Sequence, residues 1–270
     1  MPQKYVNVEE VATFLHHRGT TTLPGHPPLL GHGQVVLCLH DAGGNSGSFA
    51  ELLDALAQDH TPVAFDQPAH GRSGGLDSLG AIPAMAAHAR AVATKLQLPP
   101  AVLLGAGLGA AVALEVAATD PPFPKALVLM GGAGATFDLS DEAVQSVRLI
   151  ATGKARRVFD NSGYAPDTPR AVFGRAFGEW VKTDPRATLG DCIAQQAWSV
   201  ADRLDQVTCP VLVVVGEHED ADAKTRAATF AESLPNGRVA ELAGAGRHGF
   251  LEQPIALAQL VSTFLAEVAS

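Results

Sequence analysis

The feature that most restricts the fold of this 270-residue chain is a repeated alternation of short apolar runs with segments of helical periodicity. Residues 35–39 form a continuous apolar run, typical of a strand buried on both faces, and apolar positions in 49–58 recur at helical spacing. The alternation continues with strands at 61–65, 101–104, 126–130, 211–215 and 238–242, and with helices at 82–96, 108–119, 224–234 and 255–268. Buried strands that alternate with covering helices predict a doubly wound, mostly parallel α/β sheet.

Two segments depart from this alternation. At the start, residues 6–15 predict a short hairpin, and 19–33 is a loop rich in Thr, Pro, Gly and His. Between Gly134 and Val207 the strand pattern stops, and helical stretches carry scattered aromatic residues; these stretches are 140–151, 169–181 and 187–199. We therefore expect a core made of residues 1–133 and 208–270. Residues 134–207 would be a helical lid insertion over the carboxyl edge of the sheet, where open α/β sheets bind ligands. A second independent domain is the alternative.

Composition and charge narrow the possible partners. The formal net charge is −9, and no run of Lys or Arg appears, which argues against nucleic acid or an anionic membrane surface as a partner. Three widely spaced cysteines are typical of a reducing compartment. There is neither a signal-peptide-like apolar core nor a run of 18 apolar residues, so we expect a soluble, cytoplasmic protein. The histidines show no metal-ligand spacing, so we expect no bound metal. We also expect no cofactor, and the expected partner is a small-molecule substrate or ligand.

Five loops that follow predicted strands have an unusual composition. They are residues 39–44 (Leu-His-Asp-Ala-Gly-Gly), 66–73, 104–110, 216–220 and 244–254. In this order and spacing they resemble the α/β-hydrolase superfamily over essentially the whole chain. The resemblance implies a G-x-S-x-G turn between a strand and a helix, with a serine nucleophile at its centre. It also implies a histidine base, an acid that orients the histidine, and an oxyanion hole made of backbone N–H groups.

The position that the resemblance gives to the nucleophile is held by glycine. The corresponding turn is Gly105-Ala106-Gly107-Leu108-Gly109, so Gly107 stands where the serine is expected. Neither Ala106 nor Leu108 can act as a nucleophile, and losing the nucleophile of a triad enzyme costs on the order of a millionfold in turnover. The N–H groups of Leu108 and Ala42 can still form the hole, because that function needs only backbone.

The remaining catalytic positions are also altered. The family acid corresponds to Glu219, with Asp220 next to it. When the sequence is aligned to the family pattern without a gap, Arg247 falls at the position of the family histidine. Arginine cannot act as a base at neutral pH, and His248 lies one residue later. Two registers are therefore open: His248 enters the site as the base, oriented by Glu219 or Asp220, or Arg247 takes its place. We expect His40, Asp41, Ala106 and Arg247 to line the pocket.

A dinucleotide-binding fingerprint competes for the same glycines. Gly105-x-Gly107-x-x-Ala110 fits G-x-G-x-x-G/A after a strand and before a helix. The acid that would bind a ribose hydroxyl is expected near the end of the next strand, where the sequence is Leu-Met-Gly-Gly at 129–132. The missing acid makes this the weaker interpretation.

Three functional hypotheses follow. The first is a hydrolase-like or cofactor-free enzyme that works without a serine nucleophile on a small, mainly apolar carbonyl or ester-type substrate. Here His248 is the general base and the backbone hole stabilises the oxyanion. The second is a non-catalytic pseudo-hydrolase that binds a small molecule or a partner. The third is a dinucleotide-binding oxidoreductase. The aromatic residues of the predicted lid favour a mainly apolar ligand.

Overall fold

The computed structural model describes residues 3–23 and 26–268. Within this part of the chain the strands are β1 (Gln3–Val8), β2 (Val11–His17), β3 (Val35–Leu39), β4 (Thr61–Phe65), β5 (Ala101–Ala106), β6 (Pro124–Met130), β7 (Val211–Gly216) and β8 (Gly237–Leu242). They form one sheet in the order β1-β2-β4-β3-β5-β6-β7-β8. Pairing is antiparallel between β1 and β2 and between β2 and β4, and parallel in every other pair of this order. The predicted α/β sheet is confirmed.

The helices are α1 (Ala50–Leu56), α2 (Ile82–Lys95), α3 (Leu108–Thr119), α4 (Asp141–Ala151), α5 (Arg170–Trp180), α6 (Pro185–Ala197), α7 (Ala221–Glu232), α8 (Gly249–Glu252) and α9 (Pro254–Val268). Short 3-10 helices span Ser46–Phe49 and Ala201–Gln206. Among the residues described, no helix combines the length and the apolar character that crossing a membrane requires.

The core lies on both faces of the sheet because successive side chains of a buried strand point in opposite directions. In β3, for example, Leu37 packs in the cluster that contains residues of α2, α3 and α7, whereas Val36 packs in the cluster that contains residues of α1 and α9. All five residues of β3 are buried. This two-sided burial explains why the strands appear in the sequence as continuous apolar runs rather than as alternating patterns.

The N-terminal hairpin and the loop after it are as predicted where they are described. The hairpin turns at Glu9 and Glu10, which both have positive φ angles (48° and 67°), as a two-residue type I′ turn requires. The loop at 19–33 contains one bridge, between Thr20 and Leu29. Residues 24–25 of this loop, and residues 1–2 and 269–270 of the predicted core, lie outside the described residues.

Segment 134–207, between β6 and β7, is helical where the sequence predicts helices. Ser140 caps α4 by accepting a hydrogen bond from the Ala143 N–H, and Asp184 caps α6 through the Arg186 N–H. The segment is anchored to the sheet layer at its end, where the Trp198 indole donates to the buried Glu115 carboxylate at 2.9 Å. Glu115 lies on α3, so the segment is fixed to the helix that follows β5.

Candidate active site

The centre of the site is the sharp turn between β5 and α3. Gly107 has φ 51° and ψ −112°, a conformation that residues with a side chain rarely adopt. The turn is also tight, because a Cβ on Gly109 would overlap the carbonyl of Leu39 at the end of β3. Glycine is therefore required at position 109 by close packing and favoured at position 107 by the backbone conformation.

The Asp41 carboxylate fills the space above this turn. Its Oδ1 accepts hydrogen bonds from the Leu108 N–H at 2.8 Å and from the Ala42 N–H at 2.7 Å. These are the two donors that the sequence suggests for an oxyanion hole. A Cβ placed on Gly107 would overlap the same carboxylate. The absence of a side chain at Gly107 is therefore what leaves room for Asp41.

Asp41 Oδ2 is free of hydrogen bonds within residues 3–23 and 26–268, in contrast to Oδ1. The carboxylate thus has one oxygen held by two backbone donors and one oxygen without such a constraint. Asp41 is partly exposed. This arrangement leaves a lone pair of the second oxygen available to a neighbouring group or ligand.

His40 holds the loop that carries Asp41. Its Nδ1 lies 2.8 Å from the Asp41 carbonyl oxygen, and its Nε2 lies 3.1 Å from the Gln67 N–H. Because Nε2 must accept from that N–H, Nδ1 carries the proton and donates to the carbonyl. Burial lowers the pKa of His40, which agrees with a neutral ring. His40 is therefore a support of the loop, not a group directed at a substrate.

A buried ion pair holds the same loop from the side of α6. The Asp191 carboxylate accepts hydrogen bonds from the Gly43 N–H (2.8 Å), the Ser78 hydroxyl (2.6 Å) and His70 Nε2 (2.8 Å). His70 Nδ1 faces the Pro68 carbonyl at 3.0 Å, so both ring nitrogens act as donors. Although burial lowers the pKa of His70, the Asp191 charge and hydrogen bond raise it by more, and the net shift is upward. The pair connects α6 rigidly to the glycine-rich loop after β3.

His248 lies in an aromatic environment next to segment 134–207. Its ring is 4.3 Å from the Tyr164 ring and 6.4 Å from the Phe250 ring, centroid to centroid. Burial lowers the pKa of His248 below 6.5, more than the Asp41 charge raises it, and the Arg247 charge lowers it further. His248 is therefore neutral at neutral pH, as a general base must be.

Arg247, the residue before His248, contacts Gly163 through its backbone and Gly132 through its side chain. Its N–H donates to the Gly163 carbonyl at 2.6 Å, and its guanidinium lies beside Gly132, about 3.5 Å from where a Cβ on that glycine would be. A Cβ on Gly131 would lie 3.1 Å from Gly107 N and 3.8 Å from Arg247 O, so Gly131 lies close to both the β5–α3 turn and the Arg247 backbone. Of the two candidates for the family histidine position, Arg247 thus lies against Gly132 and His248 lies against Tyr164.

The two acids predicted to orient His248 are engaged elsewhere. The Glu219 carboxylate accepts from the Gly216 N–H at 2.9 Å within its own loop. Asp220 caps α7 by accepting from the Ala223 N–H at 2.7 Å, and this cap is why α7 begins three residues earlier than predicted. Neither carboxylate is bonded to His248, so the assignment of these acids as its partners does not describe this structure. The charges that act on the ring come from Asp41, Arg247 and Glu252.

One predicted pocket residue belongs to the core. Ala106 is fully buried and packs with the cluster that contains α1 and α9, because the side chain of this last β5 residue points away from the turn. The sequence reasoning also missed three contributors: the position of the Asp41 carboxylate in the hole, the role of Asp191, and the contact of Tyr164 with His248. Asp191 and Tyr164 lie in segment 134–207, where neither strand periodicity nor a motif indicates which side chains face the sheet.

Comparison with known proteins identifies the family to which this fold belongs. Residues 36–260 match the model of the Alpha/beta hydrolase family. The chain therefore belongs to the alpha/beta hydrolase family, and the resemblance inferred from the five loops is confirmed.

Individual relatives agree with this membership. The chain is 27% identical over 225 residues to a protein of Rhizobium rhizogenes named "Putative carbamate hydrolase RutD", covering 80% of this chain and 86% of that protein. It is 26% identical over 257 residues to a pimeloyl-[acyl-carrier protein] methyl ester esterase of Xanthomonas oryzae pv. oryzae, covering 90% and 99%. A thermophilic esterase from Thermogutta terrifontis has the same fold, with a TM-score of 0.82, 18% identity and full coverage of both chains. These relatives support a hydrolase in general terms.

Proposed function

We propose that this chain is a hydrolytic enzyme that works without a serine nucleophile on a small, mainly apolar, ester-type carbonyl group. In this proposal Gly107 holds the place of the family nucleophile. His248 accepts a proton from the attacking water, and the N–H groups of Ala42 and Leu108 stabilise the oxyanion. The observation that carries the proposal is that both N–H groups converge on one anionic oxygen, Oδ1 of Asp41.

The two distances support a working oxyanion hole. An effective hole needs donors 2.7–3.1 Å from the position of the developing oxyanion, and the Asp41 oxygen lies 2.7 and 2.8 Å from the two nitrogens. Asp41 Oδ1 thus marks the place where the oxygen of a tetrahedral intermediate would sit. Each such donor contributes roughly 10²–10³ in kcat in well-studied hydrolases, and this contribution does not depend on the missing serine.

The environment of His248 supports its role as the base. The ring is neutral at neutral pH because burial lowers its pKa. Water as the nucleophile requires a base of this kind, since no side chain at Gly107 can attack. The apolar character of the substrate is supported by the rings around His248, where Tyr164 lies 4.3 Å from His248 and 4.8 Å from Phe173. The names of the relatives, an esterase and a carbamate hydrolase, also favour a carbonyl substrate.

A panel of nitrophenyl esters of increasing acyl length tests this function. We expect steady hydrolysis without an acyl-enzyme burst, no labelling by a fluorophosphonate, and loss of turnover in His248→Ala. His218→Ala is the matched control, because His218 is exposed in a neighbouring loop and is expected to leave turnover unchanged. A fluorophosphonate adduct on a serine of the site, or full activity in His248→Ala, would refute the mechanism.

A ligand-binding pseudo-hydrolase is the second candidate, favoured by one specific observation. Both donors of the hole are already occupied by a carboxylate of the chain itself. A free ester carbonyl can bind there only if Asp41 leaves, at a cost of about 1.5–3 kcal/mol for each charge-assisted hydrogen bond. The absence of turnover on every ester, together with saturable binding of a small apolar ligand, would favour this candidate.

The same carboxylate argues against the dinucleotide hypothesis. A pyrophosphate bound at the N-terminus of α3 would need the Leu108 N–H, which Asp41 already occupies. The two anions would repel each other at this contact. We therefore do not favour a nicotinamide or flavin enzyme, and a thermal-shift experiment with NAD, NADP and FAD should show no stabilisation.

A further inference from the structure

The His248 ring needs a source of orientation other than the two acids that the sequence suggests. Glu219 and Asp220 accept hydrogen bonds from backbone N–H groups of their own loop and of the helix that follows. The ring instead lies against Tyr164, at 4.3 Å between ring centroids and an interplanar angle of 34°. A general base must keep one nitrogen within hydrogen-bond reach of the proton that it removes. The contacts that fix Tyr164 therefore bear on the orientation of the base.

The Glu252 carboxylate connects segment 134–207 to the turn that carries the proposed base. Its Oε1 accepts hydrogen bonds from the Ala165 N–H at 2.7 Å and from the Thr168 hydroxyl at 2.6 Å. Its Oε2 accepts from the Gly246 N–H at 3.0 Å. Glu252 is partly buried, and hydrogen bonds to a carboxylate are roughly twice as strong as those between neutral groups. One carboxylate therefore bonds to both sides of the contact between the tyrosine and histidine rings.

The backbones on the two sides of this contact also pack closely. A Cβ on Gly246 would overlap the Gly163 carbonyl, and the same carbonyl accepts a hydrogen bond from the Arg247 N–H at 2.6 Å. The Glu252 N–H in turn donates to the His248 carbonyl at 3.1 Å, within the first turn of α8. The turn and the segment thus hold each other, and Glu252 is bonded to both.

We propose that Glu252 is the positioning residue of His248. Its carboxylate holds Ala165 and Gly246 together and thereby keeps the Tyr164 ring against the ring of the base. This inference rests on the proposed function, because it concerns the same base in the same reaction. A glutamate on α8 then does what the family pattern assigns to an acid after β7, but it acts on the backbone around the histidine instead of on the ring.

The Glu252 charge also acts on the base directly. Burial lowers the pKa of His248, which is the largest effect, and among the nearby charges Asp41 raises it and Arg247 lowers it. The negative charge of Glu252 raises it, because an anion favours the protonated ring. Replacing Glu252 by a neutral residue of the same shape should therefore lower the pKa of the base. Loss of packing would instead admit water to the ring and raise that pKa, so the direction of the shift separates the two effects.

The substitution Glu252→Gln tests this inference with a nitrophenyl butyrate as substrate. Glutamine keeps the size of the side chain but has one acceptor oxygen in place of two. We expect kcat to fall roughly 10- to 100-fold, because a misplacement of about 1 Å can cost about 100-fold in rate. KM should stay unchanged, and the acid limb of kcat/KM should move to lower pH. Glu217→Gln is the matched control: Glu217 accepts from the Gly244 N–H of the same turn at 2.7 Å, but it is exposed, and its variant should change neither value.

A second variant separates positioning from charge. Thr168→Val removes one hydrogen bond to Oε1 and leaves the Glu252 charge in place, so kcat should fall while the midpoint of the acid limb stays where it is. An NMR titration of the His248 ring gives its pKa without turnover. This pKa should be lower in Glu252→Gln than in the parent protein and unchanged in Thr168→Val.

The outcomes distinguish this inference from the proposed function. Ester hydrolysis with the same kcat in Glu252→Gln and the parent protein would overturn the positioning role and leave the proposed function standing. The same holds for a raised pKa of His248 in Glu252→Gln, or for an equal fall of kcat in Glu217→Gln, since either would indicate a general loosening of the turn. Absence of ester hydrolysis by the folded parent protein would overturn both.

Discussion

The substitution Gly107→Ser is the most informative perturbation of the turn between β5 and α3. The side chain would impose a positive φ on a non-glycine residue, which costs about 1–3 kcal/mol. It would also force the Asp41 carboxylate out of the space it occupies. Losing its two charge-assisted hydrogen bonds costs up to about 1.5–3 kcal/mol each, less whatever water restores. We expect Gly107→Ser to lower the free energy of unfolding by more than backbone strain alone, which costs about 1–3 kcal/mol, as measured by urea denaturation.

Two companion variants separate strain from displacement of the carboxylate. Gly153 also has a positive φ (72°), but a Cβ there would meet nothing within 4 Å, so Gly153→Ser measures strain without displacement. Asp41→Ala removes the obstruction, so the double variant Gly107→Ser/Asp41→Ala should be more stable than the two single effects added together predict. A serine at the turn should then introduce fluorophosphonate labelling. A cost of Gly107→Ser no larger than that of Gly153→Ser, with additive double-variant energies, would refute the reasoning.

Three further predictions concern pH and the buried ion pair. The acid limb of kcat/KM should have its midpoint below pH 6.5, because burial lowers the pKa of His248, the proposed base; a midpoint above 6.5 would contradict this role. The free energy of unfolding should fall as pH drops below 6.5, since burial lowers the pKa of several histidines, including His16 and His88, and the unfolded chain then binds more protons. Urea titrations between pH 7.5 and 5 measure it, and rising stability would contradict it. Asp191→Ala should cost about 3–5 kcal/mol because it leaves the His70 ring buried without its partner; Asp202→Ala, at an exposed position, is the control.

The sheet could be predicted from the sequence because its strands are buried on both faces. Continuous apolar runs such as residues 35–39 leave few alternatives, and each predicted parallel strand is present within two residues of its expected bounds. The first residue of a helix was less predictable where a polar N-cap residue lies several residues before the apolar positions take up regular helical spacing. At α7, Asp220 begins the helix three residues before the apolar periodicity becomes regular.

The backbone groups of the candidate site could be predicted from the sequence, but the positions of its side chains could not. The turn at Gly107 and the donors of Ala42 and Leu108 follow from the resemblance to the alpha/beta hydrolase family, and the structure brings the two donors onto one oxygen. The identity of that oxygen was not predictable, because nothing in the spacing indicates that the Asp41 side chain folds back onto its own loop. Glu219 was assigned by its position after β7, yet its carboxylate accepts a hydrogen bond from the Gly216 N–H of the same loop. Local hydrogen bonds of short acids compete with longer-range contacts and leave no periodic signal.

The amide proton resonances of Ala42 and Leu108 test most directly whether the Asp41 carboxylate occupies the proposed oxyanion hole. In the ¹⁵N-labelled protein, both should lie downfield, as expected for N–H groups that donate to a charged oxygen. In Asp41→Ala both should move upfield, and Leu108 is decisive because it lies far from position 41 in the chain. An unchanged Leu108 resonance in Asp41→Ala would show that the carboxylate does not occupy the hole.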